Sequence, residues 1–586
     1  MTRCYISGLK MKSFALLFLA STTVAAQFIP GSPVIIHPAV ESKAVTEGTV
    51  RGPGPGLGRT PPAAQPVRAS AGSVAPGDAR TPPPPPPVPI APEVSPEAAA
   101  IEQTTPGSDP ALEVLESFDG LGAGFNARAF PGDGGGPAGT GRGGIDISLA
   151  VGLDHIFEIL NGNLAVFTKK GRKYPVTGKL LYGPVPNNTV FSGFGDRCSK
   201  SNNADSVVRY DQLAKRWLLV VPVFRPPYAM CYAVSATPDP LGQYYRYEFS
   251  RPLFPDYPRP AVWPDGYYVP TSTSDDPLPE VVTQKHDCIA ERAKMLKGLP
   301  ATEQCVVIDG AVFMLNSDVL GKRPPAAGAP NIMMSTGGTQ LLKRFEDDGV
   351  YFYKVHVDWQ DPAHTSISPP QKIPVAPYHY LCDGQLSNCV PQPGTDRRLD
   401  SQGDKLMQGL MYRNFGDHEA LVVDHSVATA AHGGGVRWYE FRLTGKGDSE
   451  RNPVLYQQGT YAPAQIAGPS YRWLGSIALD RKGNIGIGYG FGGVPKFAGP
   501  SFPGPGFPGQ RFAARRNGDP KGKLTFGESM LAEGHASQPS LRWEDYTNIA
   551  VDPSDDCAFW FVGNYLKEGA TSSTTRIGAF KVPGCR

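Results

Sequence analysis

The densest group of chemistry-bearing side chains lies between residues 376 and 405, APYHYLCDGQLSNCVPQPGTDRRLDSQGDK. It holds Tyr378, His379, Tyr380, Asp383, Arg397, Arg398, Asp400 and Asp404 around the pair Cys382 and Cys389. Arginine also falls near tryptophan elsewhere: Arg259 and Trp263, Arg472 and Trp473, and Arg542 and Trp543, the last followed by Asp545 and Tyr546. Aromatic rings stack on the C–H faces of sugars, while arginine and carboxylates hydrogen-bond hydroxyls or acidic substituents. His379 or Tyr380 as a base, with an arginine to neutralise a carboxylate, suits a lyase on a uronic-acid polymer. Two of Asp383, Asp400 and Asp545, if about 5 to 10 Å apart, suit glycoside hydrolysis. A plainer reading makes each tryptophan inter-blade packing and each Arg–Asp pair a structural tie. Packing is favoured for any single tryptophan, and function for the 376–405 loop as a whole.

Other motifs are weaker. His418, His425 and His432 recur every seven residues, but His425 falls in a strand pattern and the others in or beside turns. Shared metal coordination is therefore not expected, and the Asp-rich turns lack calcium-loop spacing. No serine-nucleophile elbow or phosphate loop stands out, so no cofactor is expected. Gly193–Phe194–Gly195 and the glycine-rich 488–493 read as strand-end turns.

The elements that must position these residues are strands. One theme recurs: a small-apolar strand, an Asp-containing turn and a second apolar strand. It reads ISLAVGLDHIFEIL at 147–160, SVVRYDQLAKRWLLVV at 206–221 and PAVWPDGYYVPT at 260–271. It returns as GSIALDRKGNIGIGY at 475–489 and NIAVDPSDDCAFWFV at 548–562, with a looser copy at 409–423. Asp and Gly supply the acceptors and positive φ that tight hairpins need. An aromatic, alternating strand follows most copies, as in CYAVSA at 231–236 and GVRWYEFRL at 435–443. Long helical patterns are scarce, and the best short candidate is at 289–298.

Repeats of this kind resemble secreted bacterial β-propellers in general architecture. Counting the copies gives an all-β fold with seven blades, six or eight remaining open, at about 145–185, 205–250, 259–310, 329–376, 406–462, 471–533 and 541–582. The ring would be closed by a strand from 111–125. Ser554–Trp560 does not reproduce the sialidase Asp-box, and WD40 and kelch signatures are absent, so the resemblance extends to architecture and not to activity. In that register the insertions 274–287, 490–515 and 376–405 all fall on the face where the innermost strands begin. Long loops on one face of a rigid scaffold are where binding usually resides.

The chain ends fix the expected compartment. SFALLFLASTTV at 13–24 follows Lys10 and Lys12 and precedes small residues, which reads as a cleaved signal peptide over 1–26. No other stretch approaches a membrane span. Residues 27–110, with six consecutive prolines at Pro82–Pro87, read as a disordered, semi-rigid spacer before a 111–586 domain. Eight cysteines follow the leader in close sequence pairs: Cys198 with Cys231, Cys288 with Cys305, Cys382 with Cys389 and Cys557 with Cys585. Exported chains keep such pairs as disulfides, and no zinc spacing competes. With 56 basic and 54 acidic residues, no nucleic-acid footprint is present. The expectation is a secreted propeller holding an extracellular ligand, a glycan before a surface protein, on its insertion-rich face. A polysaccharide-degrading lyase or hydrolase and an adhesive surface protein are the alternatives.

Overall fold

A computed structural model describes residues 34–41, 93–122, 145–194, 196–251, 254–272, 284–309, 313–337, 349–384, 388–407, 409–445, 451–463, 469–493 and 506–586. The expected signal segment, the run Pro82–Pro87 and the loop segments 273–283 and 494–505 lie outside them.

Each copy of the Asp-turn theme is an antiparallel hairpin. Ile147–Val151 pairs with His155–Leu160, Val207–Asp211 with Arg216–Val223, and Asn548–Val551 with Phe559–Tyr565. The turn chemistry is local: Asp480 Oδ1 accepts from the amides of Lys482 and Asn484 at 2.7 and 3.0 Å, closing the turn before Ile485–Gly493. Two further strands extend each hairpin outward, giving the first sheet, Ile147–Pro186, and the second, Val207–Ser250. The third runs from Ala261 to Asp309, with Val34–Glu41 added antiparallel to Thr302–Asp309. The last holds Asn548–Val551, Phe559–Tyr565, Thr574–Phe580 and Glu116–Gly122. The strand sought in 111–125 is thus Glu116–Gly122, paired antiparallel with Thr574–Phe580.

The blade count departs from expectation. Four sheets of four or five strands stand separately, not seven, and the stretch expected to make three more is one 14-stranded sheet. The cause is edge pairing between inner strands: Leu315–Leu320 runs parallel to Leu410–Asn414, with Ser317 opposite Leu410 and Leu320 opposite Arg413. Gly434 and Tyr471 make a second parallel contact further along.

The sheets pack face to face in a propeller arrangement, and their cores run from one to the next. Phe157 and Ile159 meet Trp217 and Leu219; Leu218 and Val220 meet Tyr267 and Val269. Ile289 and Val306 meet Ile332 and Leu421, and Ile477 and Ile487 meet Phe559 and Phe561. Trp560 and Ile577 meet Ile147 and Leu149, so the circuit returns to the first sheet. The glycines of 488–493 are not a turn but belong to the strand Ile485–Gly493. A Cβ at Gly488 would lie 2.3 Å from the Phe561 ring, so glycine admits the neighbouring sheet's phenyl group.

The described residues before 111 lie on this scaffold. Gln103 Nε2 donates to the Leu524 carbonyl at 2.8 Å, and its Oε1 accepts from the Leu524 amide at 2.8 Å. Contact with the ring therefore begins before the boundary expected at 111. Four disulfides join the cysteines in the expected pairs: Cys198–Cys231, Cys288–Cys305, Cys382–Cys389 and Cys557–Cys585. Among the described residues, no helix is long and apolar enough to cross a membrane.

Candidate functional site

The inner strands begin at one end of the ring, and the residues just before them converge. Ile145 and Glu544 form a parallel bridge, in which the Ile145 amide donates to the Trp543 carbonyl at 3.0 Å and the Asp545 amide to the Ile145 carbonyl at 3.1 Å. That bridge holds Asp146, at the head of the first sheet, beside Asp545, at the head of the last. Asp205 enters from the second sheet: its amide donates to Asp146 Oδ2 at 3.3 Å. Tyr257 enters from the third, its amide donating to Asp205 Oδ2 at 3.1 Å and its hydroxyl to the Asp545 carbonyl at 2.6 Å. The Tyr546 hydroxyl donates to Asp205 Oδ2 at 3.2 Å, and the Tyr257 and Tyr546 rings stack at 4.5 Å.

The 376–405 loop completes the group from outside the sheets. Its hairpin, Asn388–Gln392 with Thr395–Asp400, reaches the segment before the last sheet, where the Asp400 amide donates to the Leu541 carbonyl at 3.0 Å. Asp400 Oδ2 accepts from Arg542 Nη1 at 2.5 Å, and Arg542 Nη2 pairs with Asp545. Gln402 Nε2 donates to Asp545 Oδ1 at 2.8 Å, and Lys405 Nζ donates to Gln402 at 2.5 Å and Asp404 at 2.6 Å. Asp205, Tyr257 and Gln402 take left-handed backbones, with φ of +61°, +54° and +47°. Non-glycine residues adopt that region at a cost, and such residues cluster where a structure holds side chains for a task.

The electrostatics separate the carboxyl groups. Burial, reinforced by the charges of Asp205 and Asp545, keeps Asp146 protonated well above the usual carboxylate range. Burial and then Asp545 push Asp205 up to about 6. Asp400 also rises to about 6, because burial outweighs the opposing Arg542. Proton-holding and proton-releasing carboxyl groups in one place, with Arg542 and Lys405 beside them, are the parts of acid–base catalysis on an uncharged bond.

The residues singled out in the sequence divide sharply. Asp545, Tyr546, Arg542 and Arg259 belong to this group, as do Asp400 and Asp404 from the loop. Trp263, Trp473 and Trp543 are fully buried and present no face to a ligand: Trp263 Nε1 donates to the Ala329 carbonyl, and Trp473 packs 6.4 Å from Trp543. An exposed tryptophan platform is therefore absent from the described residues. Arg472 forms a bidentate pair with Glu528 at 2.7 and 3.0 Å, inside the large sheet. Burial raises Glu528, but Arg472 and Arg511 outweigh it and hold the carboxyl down to about 2. Tyr378 and Tyr380 are buried, bonded to Gly349 and Thr336, respectively, which anchors the loop base. His379 and Asp383 pair at 2.9 Å on the surface, Arg397 is exposed, and Arg398 donates to the Cys389 carbonyl.

The histidines do not meet: His425 is buried against Tyr439, while His418 pairs with Asp417 in a turn. His286 lies beside Cys288 and Cys305, but those sulfurs are bonded to each other and are not free as ligands. A cavity of about 480 Å³ opens at the other end of the inner strands, lined by Leu153, Asp154, Lys169 and Asp552. Two ion pairs lie within its lining, Lys169 with Asp552 at 2.5 Å and Arg172 with Asp154 at 2.9 Å.

Sequence reasoning missed Asp146, Asp205, Tyr257, Gln402 and Lys405. The signal was present, because Asp146 and Asp205 stand one and two residues before inner strands, as Asp545 does three before Asn548.

No family model matches the chain, and no curated protein is similar to it. Among solved structures, the chain is similar to a subtype N10 neuraminidase-like protein of A/little yellow-shouldered bat/Guatemala/060/2010. The identity is 11%, over 59% of this chain and 90% of that one, with a TM-score of 0.29. The WD40 domain of SCAP from fission yeast gives 11% identity over 72% and 79%, with a TM-score of 0.27. An engineered GH43 glycoside hydrolase with endo-xylanase and exo-arabinofuranosidase activity gives 8% over 75% and 96%, at 0.26. At such TM-scores these likenesses carry no argument, and the fold rests on the sheet topology described above.

Proposed function

We propose that the protein is an exported propeller that takes a glycan at the mouth of its central ring and hydrolyses it there. The observation that carries this reading is the convergence of Asp146, Asp205 and Asp545 with Arg542 where the inner strands begin. Asp205 gives a proton to the leaving glycosidic oxygen as the C–O bond breaks. Asp545, held by Arg542 and Gln402, faces the positive charge that develops on the sugar, orients the water that replaces the leaving group and takes that water's proton as its oxygen bonds to the sugar carbon. Asp146 keeps its own proton and fixes Asp205 through the Asp205 amide. Four disulfides support an oxidising compartment outside the cytosol, in keeping with the expected leader.

A simple binding module on the same scaffold is less well supported, because the tryptophans that would have made its stacking platform are buried. Release of reducing ends from neutral and acidic polysaccharides tests the proposal. Wild-type protein is expected to release them and Asp205→Asn to lose at least about 100-fold in rate, the usual scale for removing a general acid. Retention of a polymer without any shortening would instead favour the binding module.

A further inference from the structure

We propose that Arg259 receives a carboxylate of the substrate, so that the glycan cut at the ring mouth is a uronic-acid polymer; this rests on the reading of that mouth as a glycan site. Arg259 is 2% exposed, and its Nε and Nη1 are buried without a hydrogen-bond partner. Among the described residues, no carboxylate pairs with it. The other buried arginines are answered. Arg251 meets Glu303, Arg292 meets Asp211 and Arg472 meets Glu528, while Arg515 donates to backbone carbonyls. A buried guanidinium with neither an anion nor a hydrogen-bond acceptor is strongly unfavourable, and a chain that keeps one has a use for its charge.

The surroundings define the missing partner. The Tyr257 and Phe313 rings lie 4.9 and 5.5 Å from the guanidinium carbon. Aromatic contacts of this kind cover a guanidinium's faces and leave its N–H edge for a planar acceptor. Lys405 lies over the same two rings, at 5.2 and 4.4 Å. Asp404, the carboxylate whose charge bears on Arg259, is bonded to Lys405 at 2.6 Å and not to Arg259. Arg259 is left with an open donor edge, and a planar carboxylate can accept two parallel N–H bonds from such an edge. Tyr257, which flanks Arg259, also bonds Asp205 and Asp545. A carboxylate held by Arg259 therefore sits beside the groups proposed to break the glycosidic bond.

Direct binding separates this proposal from the hydrolytic one. Full-length Asp205→Asn would be titrated with oligomers of galacturonate, of mannuronate with guluronate, and of glucuronate alternating with an amino sugar. Carboxyl-reduced versions of each and a sulfated dextran would be run beside them. At least one uronate oligomer is expected to bind, with affinity at least tenfold above its reduced form and above the sulfated polymer. Adding Arg259→Met should remove that preference, and Arg259→Lys should restore part of it. Because Arg259→Met removes an unanswered buried charge, it should melt no lower than its parent, whereas a fall in melting temperature would mark Arg259 as a structural tie. Equal binding of the reduced oligomers, a preference for sulfate, or no binding by any uronate would each overturn the proposal. Arg259-dependent uronate binding by a protein that cuts nothing would overturn the hydrolytic reading and leave this one standing.

Discussion

Asp205 joins a left-handed backbone, φ +61°, to a carboxyl group pushed up to about 6 by burial and by Asp545. Its unfolded value is about 3.9. As the proton donor it must be protonated, so hydrolysis should fall as pH rises past about 6, and Asp205→Asn should lose that alkaline limb with the activity. Stability follows the same sign. A carboxyl group whose folded pKa is raised contributes stability that is complete below the unfolded value and is lost as pH climbs through the folded one. Asp205→Asn, which keeps the shape and tolerates the left-handed region, should therefore melt higher than wild type at pH 8. The difference should vanish near pH 4, and thermal melts at the two pH values check it. This is the usual exchange of stability for function at a working site. Arg259 and Arg542 could be picked out from sequence because arginine near tryptophan is conspicuous. Asp146 could be found only by its place just before an inner strand, because by residue type it looks like every other Asp that opens a turn.

Two elements decide whether the mouth is assembled. The 376–405 loop carries Asp400, Gln402, Asp404 and Lys405 over the inner-strand starts, stapled by Cys382–Cys389 and anchored by Tyr380 on Thr336. Replacing both cysteines by alanine should lower hydrolysis at least tenfold while shifting the melting temperature by only a few degrees, since the bridge closes a short loop outside the sheets. An equal loss of fold and activity would show the loop to be part of the core. The second element is Glu116–Gly122, which ties the chain's start to its last sheet. Buried Glu158 accepts from the Leu121 amide at 2.8 Å and from the Thr575 hydroxyl, and burial outweighs both bonds to lift it to about 7. Its stabilising contribution is complete below about 4.5 and disappears as pH passes 7, a loss on the order of 3 kcal/mol. Glu158→Gln should therefore be more stable than wild type at pH 8 and similar to it at pH 4, as read by denaturant unfolding. At this scale the sequence was informative, since Asp turns and alternating apolar residues placed the inner hairpins. It missed Leu315–Leu320, whose centre, Asn316–Ser317–Asp318, is polar. Those side chains bond Asn331, Ile332 and Val262 inside the fold, so burial there leaves no apolar alternation to read.

Across the whole molecule, the sheets form a closed circuit whose inner-strand ends face a common centre. Composition and repeat spacing made the propeller arrangement legible. They could not show that Leu315–Leu320 hydrogen-bonds to Leu410–Asn414, because pairing between strands about 90 residues apart leaves no local pattern. Nor could they say which way an indole faces: Trp263, Trp473 and Trp543, read from the sequence as lying at strand starts where a platform would be, turn inward. The ring mouth is thus lined by carboxylates, arginine and tyrosine, a composition suited to chemistry more than to stacking. The most direct test follows polymer length by size-exclusion chromatography after wild-type protein and Asp205→Asn are each incubated with uronic-acid and neutral polysaccharides at pH 5.5. Wild type should shorten a polymer that the folded Asp205→Asn variant leaves intact. Shortening at the same rate by both, or by neither, would contradict a hydrolytic site at the centre of the ring.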